Sequence, residues 1–191
     1  MRLLVATASV AVLLAACGTV SSQPVASSPP PSSVNVLSAK VVPGVPYTTR
    51  GLSASDLSKD ASLPDLTSML STWGYVEGAE RTFQGQSRHL TFVVSRTLVF
   101  TGAAGAQAYV SFIHTNVVAY FGVVAESPLT AQGRSGWQIT PSACACHMAN
   151  PVEVGVVSSG ATVSWLEING PDATPALLVS LLDPSNTVPA A

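Results

Sequence analysis

Apolar positions divide the chain into stretches of two different periods. Leu63, Leu66, Leu70 and Trp73 fall at i, i+3, i+7 and i+10, the spacing of one helical face. Ser62-Leu63-Pro64-Asp65 reads as the start of that helix: Ser62 caps, Pro64 suits the first turn, and Asp65 completes the capping pattern. Gly74 reads as its C-cap. The period then drops to two. Leu90, Phe92 and Val94 alternate with Thr91, Val93 and Ser95, which predicts strands over Tyr75 to Phe83 and His89 to Phe100, joined through Gln84-Gly85-Gln86-Ser87. Helical spacing returns with Ala106, Tyr109, Val110, Ile113 and Val117, so Ala103 to Phe121 predicts a second helix closed by Gly122. It is apolar on more than one face, which predicts burial on several sides.

The last third reads as mostly extended. Trp137-Gln138-Ile139 predicts a short strand. Val152 to Val157 and Ala161 to Ile168 flank Ser158-Ser159-Gly160 as a hairpin. Thr174-Pro175 opens a final short helix with Leu177, Leu178, Leu181 and Leu182 inward, and Asp183-Pro184 stops it. The order of helix, two strands, helix, three strands and helix implies an α+β domain. We expect a mostly antiparallel sheet of about five strands with two to three helices packed on one face.

The N-terminus follows neither period. Arg2 precedes an apolar run, Leu3 to Leu14, too short to span a bilayer. Leu14-Ala15-Ala16-Cys17 resembles the lipobox of bacterial lipoproteins. The resemblance implies cleavage of signal peptide 1–16, acylation of Cys17, and a membrane partner through the lipid on the extracytoplasmic face. From Ser21 to Ser33, ten of thirteen residues are Ser or Pro. Such a composition cannot offset its own ordering entropy, so 17–49 reads as lipidated Cys plus disordered tether and 50–191 as one folded domain.

Composition narrows the function classes. Charged residues are 9% of the chain, hydrophobic ones 47%, and the net charge is −2. Without Arg2, seven basic residues face ten acidic ones, with no basic patch, so nucleic acid is not an expected partner. Gly74-Tyr75-Val76-Glu77-Gly78-Ala79-Glu80-Arg81-Thr82-Phe83, a long strand, Phe100 and an Ala-rich helix together resemble small cell-envelope lipoproteins of actinobacteria, mycobacterial in type. Some of these are similar in fold to PsbP and Mog proteins, others to extracellular sensor domains of receptor kinases. The resemblance implies fold and location and carries over no catalytic residue.

Cys144-Ala145-Cys146-His147 is the most unusual local sequence. Haem attachment needs two residues between the cysteines, and here there is one. Two thiols and an imidazole are also a partial set for copper(I) or zinc. With Cys17 taken by lipid, Cys144 and Cys146 are the remaining thiols in an oxidising compartment, which favours a disulfide across a local kink. No Gly-x-Ser-x-Gly elbow, His-Glu-x-x-His, phosphate loop or dinucleotide fingerprint occurs. Gly133-Arg134-Ser135-Gly136 and Gly85-Gln86-Ser87-Arg88-His89 are near misses that read as turns, and Glu77, Glu80 and Arg81 read as a solvated strand face. His114 reads as a helix-end histidine. The expected task is therefore non-catalytic: binding an apolar or amphiphilic ligand, or a protein partner, with no cofactor and no metal. Tyr109, Phe112, Tyr120 and Trp137 are the candidate walls. The alternative is a cell-envelope enzyme or a metal-binding protein using Cys144, Cys146 and His147.

Replacing Cys17 by Ala in the native type of host should move the protein out of the membrane fraction and change its mass by the lost acyl groups. A membrane-bound variant of unchanged mass would refute acylation.

Overall fold

The computed structural model describes residues 28–61, 65–85, 89–122, 124–141 and 150–191. It consists of a seven-stranded sheet and a two-stranded ribbon. In chain order the strands are β1 (Asn35–Leu37), β2 (Tyr47–Leu52), β3 (Tyr75–Gln84), β4 (Phe92–Phe100), β5 (Val124–Ala131), β6 (Arg134–Pro141), β7 (Val152–Ser159), β8 (Thr162–Asn169) and β9 (Thr187–Pro189). The helices are α1 (Ala54–Ala61), α2 (Leu66–Thr72), α3 (Ala103–Thr115), α4 (Val117–Phe121) and α5 (Pro175–Leu181). The sheet order is β2-β3-β4-β8-β7-β6-β5, antiparallel at every step, and β1 pairs β9 as the separate ribbon.

This corrects the expected sheet of about five strands with helices on one face. Both faces are covered, because alternate residues of the central strands enter two different cores. Leu98 and Phe100 of β4, Val154 and Val156 of β7, and Val163 and Trp165 of β8 pack with α1, α2 and α3 on the first face. Val93, Val157, Leu166 and Ile168 pack with Leu178, Leu181 and Leu182 of α5, and with Leu37 of β1, on the second. Fully burying such an aliphatic side chain contributes roughly 1.5–3 kcal/mol, so a sheet apolar on both sides needs two covering layers.

The extra strands escaped the pattern for separate reasons. β1 and β9 have three residues each, too few to show a period. β2, Tyr-Thr-Thr-Arg-Gly-Leu, is polar in its first half and lies at the sheet edge. β5 contains Glu126 and Pro128, and Pro is tolerated there because β5 is the opposite edge. Its hairpin to β6 closes through Gln132 (φ 52°) and Gly133 (φ 74°), the two left-handed residues of a type I′ turn. Within the stretch read as tether, Val34, Val36 and Leu37 are buried and β1 is formed, so the ordered fold reaches back to these residues.

Local signals account for the helices. Thr174 caps α5 by accepting from the Leu177 backbone N–H, with Pro175 at the first helical position. Ahead of α2, Asp65 makes no side-chain cap, and the proposed capping residue Ser62 lies outside the described residues. The helix expected over 103–121 divides at Asn116 into α3 and α4. Gly105 lets α3 start against α2: a Cβ there would stand 2.0 Å from the Trp73 carbonyl oxygen.

Glu80 ties three strands together on the first face. It pairs with Arg50 of β2 (Nε–Oε1 2.9 Å) and with the Arg96 Nε of β4, its register partners on either side. Burial pushes the Glu80 carboxyl up, but the charge of Arg96 and the hydrogen bonds and charge of Arg50 outweigh it and hold it below the usual carboxylate range. The stability it contributes is therefore present above the unfolded carboxylate pKa, about 4.3, and is lost as pH falls through its lower folded value. Glu80→Ala should cost about 3–5 kcal/mol in urea unfolding at pH 7, because Arg50 and the mostly buried Arg96 both lose its carboxylate. The difference from wild type should shrink as the pH is taken below 4.3, the ordinary glutamate value.

Candidate functional site

Of the four residues read as ligand walls, the three with described side chains take different positions. Tyr109 is 1% exposed in the first core, against Phe100 (ring centroids 5.9 Å) and Trp73 (6.5 Å), and so is part of the packed interior. Phe112 is half-buried one helical turn on, 5.5 Å from Trp73. Trp137 of β6 is half-buried and lies flat under His114, ring centroids 3.6 Å apart and planes 10° from parallel. The side chain of Tyr120, in α4, lies outside the described residues, as do Cys17, Cys144, Cys146 and His147. The apolar surplus of α3 is thus taken up in part by contacts with its own domain.

His114 does more than end a helix. Its Nδ1 is 2.9 Å from Glu126 Oε2 of β5 while its ring covers Trp137 of β6, so one residue binds α3 to the β5–β6 hairpin. His89, just before β4, meets Asp172, just after β8. Glu77 accepts from Ser33, whereas Glu80 and Arg81 are buried and not the solvated face expected of them.

The second face carries a polar cleft. A volume of about 290 Å³ is lined by Asn35, Thr97, Gln132, Arg134, Ser159, Thr162, Ser164, Pro184 and Thr187. A smaller void of about 20 Å³ shares Thr97, Arg134, Ser164 and Thr187 with it and runs in toward Leu37, Leu166, Leu181 and Leu182. Each lining element has a reason to be there. The ribbon β1–β9 brings Asn35 and Thr187, and the type I′ turn brings Gln132 and Arg134. The tight β7–β8 hairpin, with Gly160 at φ 53°, brings Ser159, Thr162 and Ser164.

Arg134 is the unusual member. It is 8% exposed, with Nε bonded to the Ala131 carbonyl (3.4 Å) and Nη1 to Ser164 Oγ (3.3 Å). Its Nη2 is buried and finds no acceptor among the described residues. Burial pulls its pKa down and the charge of Asp183 pushes it back, yet Asp183 makes no ion pair with it; that carboxylate accepts from Ser185 instead. A guanidinium stays charged at neutral pH regardless. Two other arginines are better served: half-buried Arg96 has Glu80, and buried Arg81 holds Thr49 Oγ1 (2.8 Å), the Leu37 carbonyl (3.0 Å) and the Tyr47 ring (4.8 Å). The sequence shows Arg134 only inside a Gly-Arg-Ser-Gly turn, and nothing local marks it as buried.

No protein-family model matches the chain, and no curated protein matches it in sequence. Among solved structures, the extracellular domain of PknH from Mycobacterium tuberculosis is similar at 11% identity, over 73% of this chain and 76% of that one, with a TM-score of 0.43. A likeness that distant establishes no shared ligand or activity.

A buried donor without an acceptor costs roughly 1–3 kcal/mol. Arg134→Met, which keeps the apolar stem, should therefore leave thermal stability unchanged or raise it by about 1 kcal/mol. A loss above about 3 kcal/mol would mean that Arg134 is a structural tie like Glu80.

Proposed function

We propose that this chain is a non-catalytic binding module, tethered to the extracytoplasmic face of a membrane through acylated Cys17, that takes a small polar or amphiphilic ligand in the second-face cleft. The cleft around Arg134 carries this reading. Ligand sites are concavities with a few fixed polar groups, and here a buried guanidinium and several hydroxyls line a volume of about 290 Å³ beside the leucines of the second core. The same groups argue against hydrolytic chemistry at this place. Ser164 faces an arginine, which cannot act as a base, and among the described residues neither histidine nor carboxylate lines the cleft. The Ser/Pro-rich segment after Cys17 would hold the module away from the lipid surface. The first-face helix α4, with Val118 66% exposed, is where a protein partner would dock instead.

The test uses the full acylated chain in detergent, labelled for NMR and screened against pooled small metabolites. At least one pool should raise the melting temperature saturably, as binding to the native state alone must. Its shifts should centre on Thr97, Arg134, Ser159 and Thr162, with the ligand recovered unchanged. Shifts centred on α4, or a ligand recovered as product, would overturn the reading.

A further inference from the structure

Arg134 and its neighbours define a chemical class of ligand. We infer that the cleft recognises an oxyanion, a carboxylate or phosphoryl group, which docks on the Nη2 of Arg134 and the hydroxyl of Ser164. The inference rests on the cleft being a ligand site, as proposed above, and says what that ligand must carry.

The donors and acceptors decide the sign. Arg134 Nη2 is a charged donor, buried and without an acceptor among the described residues. Ser164 Oγ already accepts from Nη1, so its own hydrogen is left to donate, and no acceptor for it is found among the described residues. Thr97 and Thr187 also line the cleft, but their hydroxyls donate to the carbonyls of Asn35 and Pro184, so they bring oxygen lone pairs only. Arg134 and Ser164 thus supply donors to the lining, which also holds the hydroxyls of Ser159 and Thr162 and the carboxamides of Asn35 and Gln132. Among the described residues no carboxylate lines the volume. Asp183, the acid whose charge reaches Arg134, is engaged by the Ser185 backbone N–H. A neutral ligand would leave the guanidinium charge uncompensated in a buried place, where hydrogen bonds to charged groups are the strong ones. An anionic oxygen satisfies the orphan nitrogen and the charge together. The competing occupant is one water, for which the void of about 20 Å³ has room.

The geometry also sets how the anion is held. Nε has spent its single hydrogen on Ala131 and Nη1 one of its two on Ser164, so Nη2 is the nitrogen left without a partner among the described residues. The grip is centred on Nη2 and reinforced by a serine.

The full chain in detergent is titrated with sodium phosphate, with sodium acetate and with sodium chloride at matched ionic strength, following the Arg134 Nε–H and the amides of Ser159 and Thr162 by NMR. Phosphate, acetate or both should shift these signals saturably, and the stronger arm names the source of the oxyanion, while chloride should not. Arg134→Met should abolish saturation, and Ser164→Ala should weaken it by about tenfold, the loss of one hydrogen bond to a charged group. Circular dichroism and melting curves would show that both variants are folded. Responses equal to that of chloride, or retained in Arg134→Met, overturn the inference and leave a water on Nη2. If anions fail but glycerol saturates the same amides, the cleft is a ligand site without oxyanion preference. If neither binds and no metabolite pool does, the cleft reading falls as well.

Discussion

A layer laid on a sheet must bring its own backbone down with it, and every backbone N–H and C=O so buried needs a partner. The three-residue strand β1 meets this requirement with side chains. Its Asn35 carbonyl accepts from Thr97 Oγ1, the Leu37 N–H donates to Ser95 Oγ, and the Leu37 carbonyl accepts from Arg81 Nη1. β9 supplies the partner for its other edge. The polar residues at second-face positions of β3 and β4, which interrupt an otherwise apolar alternation, are explained by this contact. Without them the ribbon would bury unsatisfied groups, and Phe83, Val93 and Leu166 would lose the cover that Leu37 helps provide.

The first face is organised differently, by a graded row across the sheet. Successive register partners run Arg50, Glu80, Arg96, Trp165, Val156, Trp137 and Pro128, from β2 to β5. Charge occupies one end and apolar surface the other, and the Arg96 guanidinium lies 5.4 Å from the Trp165 ring where the two meet. Glu167 stands one residue pair further along β8, and burial raises its carboxyl above the usual range despite Arg96, with Glu80 adding to the rise. The helices cover the apolar end, where His114 closes over Trp137. Cross-strand pairs stabilise a sheet pairwise, and here one row links all seven strands.

Arg134 belongs to the polar layer of the second face, beyond the point where β1 and β9 provide partners. Arg81 is held by a ribbon carbonyl, and Arg134, on the far side of β4, β8 and β7, has no such carbonyl for its Nη2. The cleft lies where the short ribbon, the β5–β6 turn and the β7–β8 hairpin meet. A cleft lined by residues of distant strands needs no motif, which is why no signature in the sequence points to it.

What the sequence determined by itself is local. The strands of the β3–β4 and β7–β8 hairpins, the run of α3 and the capped start of α5 were all legible, because a period of 2 or 3.6 together with a Gly, Thr or Pro at the boundary is a short-range property. The chain could not declare β1 and β9, whose pairing joins residues 35–37 to 187–189, nor β5, whose Pro128 is acceptable because the strand lies at the edge of the described sheet. It could not say that Tyr109 would be core while Trp137 would sit under a histidine, since both occupy apolar positions of predicted elements. Above all it could not place Arg134. That arginine is buried because β8 and β7 lie between β4 and β6 and bring Ser164 within reach of it. Burial of a polar side chain is decided by which distant strands become its neighbours, and a sequence pattern records only the residue's own strand.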